Sequence, residues 1–291
     1  MNDIFSSLST ITFTILGISA IGFFALQEKI PLRPKTRPFR HRLAVNAVLV
    51  GLTLTTSALL VTPVSEWMMT KAAKEEFGIL QYVKLPFGMQ TIVAFLLMDA
   101  TFYWWHRANH RIPFLWRFHN VHHIDPDLDI TTSFRFHAGE IALSSGFRII
   151  QIGLIGISAL DFVLYELIFN MSTMFHHSNF RLPIGLERFL NVFIVTPRMH
   201  GIHHSNYQDE TNSNYSVVFR WWDPLWRTLH LNIPQSAITI GVPAYHAPQD
   251  NHLRATITMP FTRQRYYWKG DNDIRLHREA GTLPDKNHLA A

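Results

Sequence analysis

The sequence has no cysteine in its 291 residues. That absence excludes disulfides, iron–sulfur clusters, thiolate-ligated haem and zinc-ribbon sites, so any metal ion must be held by nitrogen and oxygen. Charge is also sparse: Asp, Glu, Lys and Arg make up 16% of the chain against 47% hydrophobic residues, which is unlike a disordered protein. The net charge is +5, but the basic residues are not interleaved along polar helices as nucleic-acid binding requires, so no nucleic-acid partner is expected. Lys29, Arg33, Lys35, Arg37, Arg40 and Arg42 stand together between two apolar runs with no acid among them, which is the pattern of a membrane-topology signal. The opening MNDIFSSLST has no basic residue, and no A-x-A-like site precedes the basic segment. The first apolar run therefore reads as a retained span and not a cleaved signal.

A window of about 19 residues, the length that crosses a bilayer core, selects spans at 10–27, 43–64 and roughly 87–105. The apolar run 141–175 is too long for one span, and Gly153, Gly156 and Asp161 suggest a break within it. It reads as a hairpin of two helices, or as one span plus an interfacial helix. The basic loop 29–43 should be cytoplasmic, and counting crossings from it puts the segments flanking the hairpin on the same side. Residues 186–195 fit either an interfacial helix or a buried core helix. From Asn251 the chain is polar and turn-rich and should pack on the surface or fray. The expected fold is all-α: a multi-span integral membrane helical bundle with a cytosolic, histidine-rich metal-binding cap. Its regions are an N-terminal transmembrane part (1–85), a catalytic part (86–235) and a C-terminal cytosolic tail (236–291).

What the chain has in excess is histidine, 17 residues in all. His106 and His110 are four apart at the end of the third span, so a helix puts both on one face. Pro113 can end that helix and open the next, which carries His119, His122 and His123. Adjacent helical residues splay by about 100°, so one such helix could serve two neighbouring ions. The pattern returns in TPRMHGIHHS, where Thr196 suits an N-cap, Pro197 the first helical position, and His200, His203 and His204 repeat the spacing. Gly201 weakens that helix, so close packing or metal must compensate. Between the modules, at the return of the hairpin, FHHSNFRLP adds His177. Imidazoles massed beside hydrocarbon are costly without a shared task. Structural zinc takes about four ligands and catalytic zinc about three, so eight or nine histidines imply two ions. Iron is the leading assignment, with two zinc or two manganese ions left open.

HRANH, HNVHH and HGIHH together resemble the eight-histidine signature of the fatty acid hydroxylase and sterol desaturase superfamily. The similarity extends through LWRFHNVHHIDPDLDITTSFRFHAGE, HSNFRLP and NYSVVFRWWDPLWRTLH, roughly residues 90 to 230. The resemblance implies a membrane-bound non-haem di-iron oxygenase that hydroxylates or desaturates a lipid, such as a sterol or fatty acyl chain. It implies two Fe ions, O2 as co-substrate and an external electron-transfer protein or reductase. Carried over by position, the ligands are His106, His110, His119, His122, His123, His200, His203 and His204, with His177 an additional one. Arg111 stands where the ether-lipid monooxygenase branch usually has glutamate, which argues against that substrate. The end NHLAA is not an ER-retention signal, and a bacterial inner membrane is the expected location.

Around this set, His137 beside Arg135 and Glu140 reads as a support for the centre or its ligands. Asn214 and Asp223 read the same way, and His176 as facing lipid or a neighbour. Asp125, Asp127 and Asp129 either orient imidazoles or form a solvated turn. The pairs Trp104–Trp105 and Trp221–Trp222 read as interface anchors or as a channel lining. His230, His246, His252, His277 and His288 lack the spacing. Nothing in the sequence marks a substrate-binding residue. Of the rival readings, a membrane zinc hydrolase needs the general-base Glu of H-E-x-x-H, which no histidine pair here has. A metal transporter or sensor would carry its ligands near the membrane midplane.

Overall fold

The computed structural model describes residues 2–83, 85–270, 276 and 278. Among these the regular structure is helical and the only β pairings are isolated bridges. The helices in chain order are α1 Asn2–Lys29, α2 Phe39–Thr56, α3 Thr62–Lys74, α4 Ile79–Val83, α5 Phe87–Arg111, α6 Pro113–His123, α7 Ala138–Ile155, α8 Ala159–His177, α9 Ile184–Leu190 and α10 Pro197–His203.

The helices long and apolar enough to cross a membrane are Thr10–Lys29, the stretch Phe39–Val83 and Ala138–Ile155. The second differs from the expected span 43–64. A π-helical turn, Ser57–Val61, joins α2 to α3 without a break, so the connection expected after Val64 is helical as far as Lys74. The run 141–175 is a hairpin of two helices, α7 and α8. Gly156 ends α7 in the left-handed region at φ 70°, and Ser158 opens α8 by accepting the Asp161 N–H. α5 and α8, also read as spans, are not among the helices that satisfy length and hydropathy. They carry Gln90, Asp99, Asp161 and Glu166, and the polar groups turn inward: buried Asp161 accepts from Thr91 at 2.7 Å.

α1 ends and α2 begins at the same end of the bundle as the C-terminus of α5, the N-terminus of α7 and the C-terminus of α8. The Gly78 turn and Gly156 meet at the opposite end, so closely that a Cβ on Gly78 would lie 2.5 Å from the Gly156 Cα. The segments that follow α1, α5 and α8 gather at the first end and form a cap. There the basic segment does more than mark topology. Arg42 is buried and donates to Asp125 at 2.7 Å, and lies 2.6 Å from the Asp129 carboxylate. Thr36 and Arg37 present backbone N–H groups to Asp127. Arg33 is buried against Gln235 and the Pro197 carbonyl. A side chain at position 201 would strike Arg33 at once, which is why α10 carries Gly201 despite its helix cost.

The stretch from Asn251 packs and does not fray within the described residues. Met259 and Trp268 join Trp116, Val121 and Ile124 in one core cluster over the outer side of α6. On α9 and beyond it, Leu186, Phe189, Val192 and Phe193 are exposed, so this segment presents an apolar face as an interfacial helix does.

Gly156 should tolerate no side chain. Its positive φ and the Phe77 carbonyl 2.8 Å from a would-be Cβ make Gly156→Ala cost about 1–3 kcal/mol, read as a lower melting temperature in detergent. Gly146→Ala, in the interior of α7 where nothing lies within 4 Å of the new methyl, should not lower it and should raise it slightly.

Candidate metal centre

Four helix ends bring the histidines together. α5 supplies His106 and His110 from successive turns; α6, which starts at Pro113 as its sequence requires, supplies His119, His122 and His123. His177 closes α8, and α10 with its C-cap supplies His200, His203 and His204. Thr196 occupies the N-cap position of α10 in an extended conformation, but its hydroxyl accepts from Asn191 and not from the helix.

The nine rings sort into two groups, each with ligand nitrogens all within 4.8 Å of one another. One group is His106, His110, His119, His123 and His203; the other is His122, His177, His200 and His204. The adjacent pairs divide between the groups: His122 from His123 on α6, and His203 from His204 at the end of α10. The splay of about 100° between neighbouring helical residues lets each short helix face two points. His123 and His204 stack at 4.3 Å across the boundary.

In four of the rings the free nitrogen is set by what the other nitrogen binds. His106 Nδ1 lies 2.7 Å from the Tyr215 carbonyl, His203 Nδ1 2.7 Å from the Ser213 carbonyl and His177 Nδ1 2.7 Å from the Thr173 carbonyl. A carbonyl only accepts, so each Nδ1 carries the proton and each Nε2 keeps its lone pair. His119 Nδ1 likewise meets Glu140 Oε1 at 2.8 Å, the carboxylate–histidine arrangement that fixes a metal-binding ring. In the second group the Nε2 atoms converge on one another: His122 to His177 at 3.1 Å, His177 to His200 at 3.0 Å and His200 to His204 at 3.1 Å.

These atoms fit a metal ion and little else. Nε2 of His119, His123 and His203 and both nitrogens of His110 are buried without a hydrogen-bond partner, a state costing about 1–3 kcal/mol per group unless something binds there. Burial, reinforced by neighbouring rings, pushes His106, His110, His122, His123, His200 and His204 well below their ordinary pKa. Burial also brings His177 and His203 down to about 3. These eight rings are therefore held toward the neutral form, the protonation state in which imidazole binds metal.

Other expected residues take different places. His137 is outside both groups: it accepts from Gly139 N at the start of α7 and its Nε2 meets the Ile257 carbonyl, so both nitrogens are used in holding α7. His176 contacts His200 ring to ring at 4.1 Å but belongs to neither group. Arg135 is fully buried and donates to Val121 O, Asn46 and Asn251. Asn214 adopts φ 53° and bridges Met199 O and the backbone of His230, setting the carbonyls of its neighbours Ser213 and Tyr215 against His203 and His106. Asp223 fastens the same turn through Tyr215 N and Ser216 N. Asp125, Asp127 and Asp129 neither orient imidazoles nor form a solvated turn; all three are buried under the basic segment. There Arg42 and Arg135 hold the Asp125 carboxyl below its ordinary pKa against the effect of burial.

The tryptophan pairs split. Trp104 and Trp221 are exposed, whereas Trp105 stacks on Phe147 and Trp222 donates to Asp99 at 2.8 Å. His230 lends only its backbone to Asn214, His246 lines a polar surface pocket and His252 packs on His41; His277 and His288 lie outside the described residues. Sequence reasoning missed the role of Glu140 and that of Tyr215, whose ring contacts His106, His110 and His203. The signal for Glu140 was its place in the first turn of a helix that starts beside the cluster.

A cavity of about 200 Å³ runs from the histidines into the helical bundle. His106, His119, His122, His176, His177 and His200 line its inner end, and Thr53, Leu54, Ser57, Phe102, Trp105 and Phe169 line its length. The π turn opens onto it through Ser57 and Val61, in keeping with the frequent placement of π turns at functional sites.

Residues 91–228 match the family model of the fatty acid hydroxylases. The ornithine lipid hydroxylase of Rhizobium tropici is 27% identical over 179 residues, covering 62% of this chain and 52% of that protein. Cholesterol 25-hydroxylase of Rattus norvegicus is 24% identical over 232 residues, covering 75% of this chain and 74% of that protein. Human alkylglycerol monooxygenase is 31% identical over 137 residues, covering 46% of this chain and 29% of that protein. Several of these curated relatives are therefore matched over only about half their length or less. No solved structure matches. The segment that matches the fatty acid hydroxylase model holds all nine clustered histidines.

Proposed function

We propose that the protein is a membrane-bound non-haem di-iron oxygenase that hydroxylates a lipid, with O2 as co-substrate and electrons from an external donor protein or reductase. The observation that carries this reading is the joining of two buried histidine groups to the inner end of an apolar cavity within the membrane-crossing bundle. The printed names of the relatives, all hydroxylases or monooxygenases of lipids, favour hydroxylation over desaturation. His106, His110, His119, His123 and His203 would hold one iron, and His122, His177, His200 and His204 the other. Iron so held, when reduced, supplies the O2 activation that C–H oxidation needs and that no side chain can provide.

The chain's own residues do the rest. Ser213, Tyr215, Thr173 and Glu140 hold the protons on Nδ1 and keep Nε2 aimed inward. Phe102, Trp105, Phe147 and Phe169 exclude water from the path to the histidines and leave an apolar slot into which a lipid can pass from the bilayer. The cap faces the cytoplasm in this reading, because the basic segment 29–43, which should stay on that side, is bonded to the cap through Arg33 and Arg42.

Purified protein should contain two irons per chain and take up O2 when reduced. His110→Ala and His200→Ala, one from each group, should each lower the iron content, whereas His137→Ala should leave it at two. Lipid mass spectrometry of cells expressing the protein or its His119→Ala form should show one lipid gaining a single oxygen only with the former. One zinc per chain with no O2 uptake would remove the oxygenase reading.

Glu140→Gln tests the support beneath His119. The amide keeps the size but loses the charge that favours the Nδ1 proton, and removing such a partner typically weakens metal binding about 10–100-fold. Competition with a chelator should show that loss for one of the two ions, with the melting temperature of the metal-free protein unchanged.

A further inference from the structure

The cavity has a second polar end. Within the bundle, far from the cap, Arg148 of α7 and Glu166 of α8 form an ion pair at 2.5 Å, and both line the same cavity as the histidines. An ion pair between two helices of an apolar bundle, one of them long and apolar enough to cross a membrane, is costly and marks function more often than stability. Arg148 is nearly buried and donates to Glu166 and to Gln151, and its guanidinium lies near the Phe102 and Phe162 rings. Gln151 is tied in turn to Met98 O and Thr101. Glu166 is different, with 30% of its side chain exposed against 7% for Arg148. One turn on, Asn170 gives its amide N–H to the Glu166 carbonyl, which leaves its side-chain oxygen as an acceptor on the cavity wall.

The least enclosed group of this end is the Glu166 carboxylate, an acceptor, beside an Asn170 amide that offers its oxygen and its second N–H, and the net charge of the ion pair is zero. A carboxylate or phosphate would face Glu166 with like charge, and an ammonium would add an unmatched charge in a low-dielectric site. A neutral hydroxyl, which donates to the carboxylate, fits. We propose that Glu166, held by Arg148 and flanked by Asn170, binds the hydroxyl of a neutral lipid alcohol and so sets where along that lipid oxidation falls. The proposal rests on the oxygenase reading for the reaction but not for the binding. At the rise of an α-helix, Glu140 to Arg148 spans about 12 Å along α7 and Glu166 to His177 about 16 Å along α8. The oxidised carbon would lie at that distance from the hydroxyl.

The test is equilibrium binding to metal-free protein in nanodiscs. The probes are hexadecanol and cholesterol, each against its methyl ether, with palmitate and hexadecylamine for the charged cases. Wild-type protein should bind at least one of the alcohols roughly tenfold more tightly than its ether, the scale of one hydrogen bond to a charged group, and more tightly than the acid or the amine. Arg148→Met/Glu166→Leu, which removes both charges together and should fold, ought to abolish the difference between alcohol and ether. Glu166→Gln, which keeps an acceptor, ought to retain most of it. In loaded protein the double variant should spread the product over several carbons. An unchanged alcohol preference in the double variant, or tighter binding of palmitate, hexadecylamine or the ethers by wild type, overturns the proposal. Because binding is read without turnover, loss of the preference with O2 uptake intact removes the anchor and leaves the oxygenase reading. Preference without O2 uptake does the reverse.

Discussion

The structure depends on packing nine imidazoles around two points inside the protein. A neutral imidazole has one donor and one acceptor nitrogen, and beside a metal ion only the acceptor is useful. Each ring must therefore spend its proton elsewhere. His106, His177 and His203 spend it on backbone carbonyls and His119 on Glu140. Much of the cap can be understood as the means of placing those acceptors. The left-handed Asn214 turns two successive carbonyl neighbours toward two different rings, and Asp223 pins that turn from behind.

Beneath this lies a second requirement, that the cap be fixed to the bundle. Ligands from α5 and α8 are carried by the bundle itself, but those from α6 and α10 are on short helices that cannot hold their own position. α6 is fixed from outside by Trp268 and Met259 and from its C-terminal end by Asp125 under Arg42 and Arg135. α10 is fixed by Arg33, which fills the space that Gly201 leaves. In the low-dielectric interior, buried charges of opposite sign are worth having only as a complete set. Arg42, Arg135, Asp125, Asp127 and Asp129 are grouped in this way, with Asn46 and Thr131 adding hydrogen bonds.

The histidines were legible because metal chemistry imposes residue type and spacing together. H-x-x-H-H carries its geometry in the sequence, since helical splay alone sends the adjacent pair to two sites. The hairpin was legible from Gly156 for a similar reason: a left-handed cap favours one residue. What stayed hidden were contacts between distant segments. Nothing local in DPDLD indicates that its carboxylates face arginines some ninety residues earlier, so a buried network resembles a solvated turn. The C-terminal stretch appears polar because Trp268 and Met259 are single apolar residues without a period. α3 was hidden because Lys71 and Lys74 suggest a loop where they only extend a helix past the apolar part.

The contact between Arg33 and Gly201 has a consequence in time. The guanidinium comes from the first loop, the helix it supports from far down the chain, and Gln235, which accepts from that guanidinium, from further still. His200, His203 and His204 are also the last of the nine to leave the ribosome. Because the carbonyls that orient His203 and His106 belong to Ser213 and Tyr215, the metal centre cannot be completed until the chain has been made past all nine histidines.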